Sequence, residues 1–95
     1  MQLHPKTGRM IRRIGDNMRT WRVAQRLTAT EVADRAGITR ATLRTIESNP
    51  GSVSFHNIFA VLTVLGVDET VAAAFDPVNS ERGQAVLTAA ARKEF

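Results

Sequence analysis

Arg40 and Arg44 stand four residues apart in the stretch "GITRATLRTIES", residues 37–48. Four residues make about one helical turn, so in a helix both guanidinium groups share a face. Leu43 and Ile46 then fall on the opposite side. A guanidinium is a rigid fork of donors that fits a phosphate, or the O6/N7 edge of a guanine, with two hydrogen bonds at once. Two forks on one exposed face are a candidate contact for nucleic acid. The alternative is a solvated helix face, the usual fate of arginine. For Arg44 there is a third, an ion pair with Glu47 three residues on.

The charge distribution leans toward the first reading. The chain has 95 residues and a formal net charge of +4. Residues 1–47 hold ten basic and four acidic side chains, whereas residues 48–95 hold three and five. Eleven of the thirteen basic residues are arginine. A basic half on a small chain favours nucleic acid first, and an acidic membrane or protein surface second.

Several function classes are excluded by what the sequence lacks. There is no cysteine, which rules out a disulfide framework, a thiolate nucleophile and a zinc–thiolate site. His4 and His56 lie 52 residues apart with no third ligand candidate near either, so no metal or other cofactor is expected. No nucleophile–base pairing, carboxylate dyad or glycine-rich phosphate loop stands out, so the chain does not read as an enzyme. No apolar run approaches a membrane span. The N-terminal "MQLHPKTGRMIRR" lacks the apolar core of a secretory signal, which predicts a cytoplasmic protein without membrane contact.

The elements that must position the two arginines read as helices throughout. "MIRRIGDNMRTWRVAQRL" sets Ile11, Ile14, Met18 and Trp21 on one helical face. Trp21 reads as a core or dimer contact rather than a base-stacking platform. Arg9, Arg12 and Arg13 form either an N-terminal arm on phosphates or a solvated face. Thr28 and Glu31 have the spacing of a capping box and start a second helix that Gly37 ends. Thr39 caps a third, from about Arg40 to Glu47. "SFHNIFAVLTVLG" predicts a fourth helix, capped by Ser52 or Ser54, with Ile58, Phe59, Leu62 and Leu65 in the core. "DETVAAAFDP" predicts a short fifth, capped by Asp68 and stopped by Pro77. The remainder, from residue 78, is a tail that is helical from about Ser80, with a stripe of Val86, Leu87 and Ala90 too narrow to fold alone. The expected division is therefore a domain at 1–77 and a tail at 78–95.

Only about three residues separate the second and third helices, the length of a helix-turn-helix turn. A small residue, Ala33, permits close approach of the two helices. Gly37 supplies the turn, and Leu43 with Ile38 and Ile46 locks the third helix in place. A helix presented in this way enters the DNA major groove with its N-terminal residues at the base edges.

"LTATEVADRAGITRATLRTIESN" resembles the helix-turn-helix of the phage repressor and Cro family, also called the Xre family, and the likeness extends over about residues 8–76. It implies an all-α, five-helix repressor-like domain. It implies base reading by Arg40, Ala41, Arg44 and Thr45. Backbone contacts are implied for Thr28, Thr30, Thr39, Ser48, Asn49 and Ser52. The family's structural ion pair between the first helix and the end of the third falls on Arg22 and Glu47. The glutamine that many members carry after the cap of the second helix is Ala29 here, so readout must shift to the third helix.

The same likeness implies a repressor that binds a palindromic double-stranded operator as a homodimer. The compact layout is similar to HipB-like antitoxins, which repress their own operon and bind a HipA-like kinase toxin, although the C-terminal strand common in that group is not evident. A free-standing repressor is the competitor within this class. From another class comes a protein-interaction module that keeps the fold and has lost DNA binding.

Overall fold

The computed structural model describes residues 4–93. The first three residues, part of the stretch read for a secretory signal, and residues 94–95 of the tail lie outside the described residues. Six α-helices run in order: α1 (Pro5–Ala24), α2 (Ala29–Ala36), α3 (Arg40–Ser48), α4 (Phe55–Leu65), α5 (Asp68–Phe75) and α6 (Glu81–Arg92). Two 3₁₀ turns intervene, Pro50–Ser52 before α4 and Pro77–Asn79 before α6. No strand occurs among the described residues. The all-α class stands; the expected five helices become six.

α1 starts earlier than its apolar spacing suggests. His4 caps it, with Nδ1 accepting from the Lys6 amide at 3.1 Å, and Pro5 occupies the first helical position. The expected inward face also needs correction. Met18 is buried, Ile11 is partly covered, and Ile14 and Trp21 remain about half exposed, at 52% and 50%. The inward line is Ile11–Gly15–Met18–Arg22, buried at Gly15 and Met18 and partly covered at its two ends, because α1 crosses the end of α3 closely at Gly15. A Cβ at Gly15 would lie 2.6 Å from the Ile46 carbonyl oxygen and 2.9 Å from Pro50 Cδ. The turn out of α1 places Arg26 at φ 60°, a left-handed conformation uncommon for a residue other than glycine.

α2 and α3 follow local rules. The Glu31 amide donates to Thr28 Oγ1 at 3.1 Å, and the Thr28 amide donates to the Glu31 carboxylate at 3.0 Å. The bond from the Thr28 backbone amide is the largest cause that holds the Glu31 carboxyl below its ordinary pKa. Gly37 ends α2 at φ 71°, and Thr39 caps α3 by accepting from the Thr42 amide at 3.0 Å. Val32, Ala33, Leu43 and Ile46 are all at most 1% exposed, so the α2–α3 corner is packed on itself.

α4 closes the core with Val61, Leu62 and Leu65, and Val67 joins them just past its end. Val61 takes a central place that the sequence suggested for Ile58 and Phe59, which are only partly buried. Of the two candidate caps, Ser54 holds α4, accepting from the Asn57 amide at 3.2 Å. Asp68 does not cap α5. It is the first helical residue, and the cap position is Val67, with no side-chain bond. The left-handed Gly66 ends α4 so tightly that Val67 must turn inward before α5 begins.

α6 packs chiefly on the 3₁₀ turn that precedes it. Ser80 caps it by accepting from the Gly83 amide at 2.9 Å, and Gln84 donates to the Val78 carbonyl at 2.8 Å. Gly83 lies so close to Pro77 that a Cβ there would overlap the Pro77 carbonyl. None of its residues is buried. The chain is elongated, with extents of 51 × 31 × 21 Å.

Candidate nucleic-acid interface

α3 holds its outer face rigidly because its inner face is fully buried. Leu43 and Ile46 are 0% exposed, so the rotation of the helix about its axis is fixed. That rotation leaves Arg40, Ala41, Arg44 and Thr45 in solvent. The Thr45 hydroxyl donates to the Ala41 carbonyl at 3.1 Å, so its proton is spent within the helix and its oxygen can only accept.

Whether the two arginines are free is decided by Glu47. Arg22 Nε donates to Glu47 Oε2 at 2.7 Å, and a second guanidinium nitrogen of Arg22 donates to Oε1 at 3.0 Å. A third donor reaches the Leu27 carbonyl at 3.1 Å. Both carboxylate oxygens are thereby engaged from α1, and the two side chains are only 13% and 11% exposed. The hydrogen bond to Glu47 is the main cause that raises the Arg22 pKa above its ordinary value. Arg44 therefore does not pair with Glu47. Among the described residues, the other recorded ion pair joins Arg35 to Glu31, so neither Arg40 nor Arg44 has an acidic partner.

Arg40, Arg44, the Arg22–Glu47 pair and Ala29 line one hollow of about 220 Å³. Arg19 of α1 lines it too. It escaped the reading of α3 because it belongs to another helix. The available signal was its place three residues before Arg22, which puts both on one side of α1. Ala29 lines the hollow with a methyl group and offers no donor.

The residues matched to backbone contacts lie on three elements. Thr28 and Thr30 are exposed at the start of α2, and Thr39 at the start of α3. As caps, the Thr28 and Thr39 oxygens accept backbone amides. The Thr39 hydroxyl also donates to Thr42 Oγ1 at 2.9 Å, whereas no such donation is recorded for Thr28. Ser48, Asn49 and Ser52 are exposed where α3 ends. The Ser48 hydroxyl donates back to the Arg44 carbonyl at 3.0 Å, and the Asn49 amide to the Thr45 carbonyl at 2.7 Å. The structure thus brings α3, the start of α2 and the segment after α3 together with α1.

His4 is occupied as a helix cap and His56 is exposed. No group of three His, Asp or Glu side chains converges among the described residues. No single helix is long and apolar enough to cross a membrane.

Known proteins add one match. A family model described as helix-turn-helix matches residues 18–71, more than half of the chain, from the middle of α1 into α5. No curated protein and no solved structure matches the chain. The matched span includes the α2–turn–α3 unit, the Arg22–Glu47 pair and the core built on α4. The chain belongs to this helix-turn-helix family, whose members are DNA-binding transcription regulators rather than enzymes.

Proposed function

We propose that the chain is a sequence-specific repressor that binds a palindromic operator as a homodimer and regulates its own operon. One observation carries the reading. Arg40 and Arg44 stand exposed and unpaired on α3 while the nearby carboxylate is held at both oxygens by Arg22. The reading assigns base contacts to Arg40, Ala41, Arg44 and Thr45, and backbone contacts to Thr28, Thr30, Thr39, Ser48, Asn49 and Ser52. It keeps Arg22 and Glu47 for structure. The free pair of forks favours it over an interaction module that has lost DNA binding.

Within this reading the chain is the antitoxin of a HipA-like kinase toxin. The compact layout supports it, and so does α6, whose Val86 and Leu87 are 54% and 43% exposed. We take residues 1–77 as the DNA-binding domain and 78–95 as the tail that engages the second protein.

The test is a binding titration on fragments of the gene's own upstream region. A dimer making about 6–10 phosphate contacts loses roughly 10³–10⁵ in affinity between 50 and 200 mM salt. Arg40→Ala and Arg44→Ala each cost about 1–3 kcal/mol of discrimination. Both should leave helicity and melting unchanged. Variants that bind the operator like the parent would remove α3 as the reader.

A further inference from the structure

A second basic hollow lies beside the one already described. It opens between the first turns of α1 and the 3₁₀ turn that follows α3, and has a volume of about 670 Å³. Its polar walls are His4, Arg9 and Arg12 on one side, Asn49 and Ser52 on the other. No acidic side chain lines it. Neither Arg9 nor Arg12 has a carboxylate partner among the described residues.

The register of α1 ties this hollow to the arginines of α3. Arg12 and Arg19 are seven residues apart. At about 100° per residue that is two turns less roughly 20°, so both project from the same face, about 10 Å apart along the axis. Arg19 lines the hollow with Arg40 and Arg44. The opposite walls are also consecutive, since α3 contributes Arg44 and Glu47 to one hollow and its cap, Asn49, to the next. The two hollows share no lining residue, and the close α1–α3 contact at Gly15 and the exposed Asp16 lie between Arg12 and Arg19, so they are two separate basic sites along one α1–α3 seam.

We propose that the hollow of His4, Arg9, Arg12, Asn49 and Ser52 seats a phosphate group of the DNA backbone, extending the contact beyond the recognition helix. The arginines supply charge and forked donors, and the Asn49 side-chain amide supplies a neutral one, whereas the Ser52 hydroxyl donates to the Asn49 carbonyl at 3.4 Å and only borders the seat. Such a site holds register on the duplex and reads no sequence. The proposal rests on the DNA-binding reading.

The experiment compares the full chain with Arg9→Ala/Arg12→Ala, Arg12→Lys and Arg40→Ala. Binding is measured across a salt series to the operator fragment and to a random-sequence duplex. Inorganic phosphate is titrated separately, with the His4 ring resonances as the readout. The double variant should bind both duplexes more weakly, by roughly fivefold per subunit at physiological salt, and lower the salt slope by about one per subunit. The ratio of operator to random binding should stay unchanged. Arg12→Lys keeps the charge and should keep the slope, whereas Arg40→Ala should lower the ratio. A double variant with the parent's slope, while Arg40→Ala still loses discrimination, overturns the phosphate seat and leaves the repressor reading standing. A changed ratio in the double variant also overturns it, because the hollow would then be reading bases. Inorganic phosphate that saturates the His4 shifts without any slope difference marks a free-anion site and overturns the DNA assignment. A parent that binds no duplex removes the repressor reading and this proposal together.

Discussion

Two glycines mark two helix crossings, and their surroundings could hardly differ more. At Gly15, α1 meets the carbonyls that end α3. At Gly83, α6 meets Pro77. Both contacts leave no room for a methyl group. Around Gly15 lies the core of Met18, Leu43, Ile46 and their neighbours, drawn from α1 to α4. Around Gly83 nothing is buried. A close backbone approach is thus not in itself a sign of a stable tertiary contact. Stability comes from the apolar area that the approach allows other residues to bury. At the second crossing that area is missing, so α6 is held by its cap, the Gln84 bond and its fit on one turn.

The sharpest way to break this comparison is to add the same methyl group to each crossing. Gly15→Ala forces a Cβ into two backbone carbonyls and a proline ring that cannot rotate away. The expected cost is about 3 kcal/mol, at the upper end for overpacking. For a domain of this size that lowers the melting temperature by more than about 10 °C. A Gly15→Ala protein that melts with the parent would show that α1 can slide on α3 without loss. Next in size is Glu47→Ala, which strips the partner from an arginine that is only 13% exposed. Fully buried pairs cost about 3–5 kcal/mol to break and exposed ones about 0–1, so about 2 kcal/mol is expected for this one. Thermal unfolding measures it, and an unchanged midpoint would mean that the bridge contributes nothing net. The smallest effect belongs to Gly83→Ala. It should dislodge α6 from Pro77, visible as altered amide resonances around the α6 start, while the stability of the main unfolding transition changes by less than about 0.5 kcal/mol. A large loss of stability there would place α6 in the core and undo the contrast.

The same contrast explains what the sequence could disclose. The Thr28–Glu31 box, the Gly37 stop and the Thr39 cap are written within three residues of their helix ends, and each forms. Leu43 and Ile46 were legible because α3 is short and one-sided. The inward face of α1 was not. Its inward line depends on Gly15, and a glycine adds nothing to an apolar pattern. The early start of α1 at His4 escaped as well, since histidine is a less usual cap than Ser, Thr, Asp or Asn. Arg19 was hidden for a different reason. Only the crossing of α1 over α3 sets it next to Arg40 and Arg44, and no spacing within α3 encodes that.

The grip of Arg22 on Glu47 has a consequence for the order of events. In a chain whose α3 has formed but not docked, Glu47 sits one turn from Arg44 and is free to satisfy it. It would also repel any approaching polyanion. Docking joins residues 25 apart in sequence and takes both carboxylate oxygens at once. The chain therefore carries an internal competitor for its own arginines, and folding is the step that disarms it. Charge on the outer face of α3 is thus free of its neighbouring carboxylate only once α3 has docked on α1.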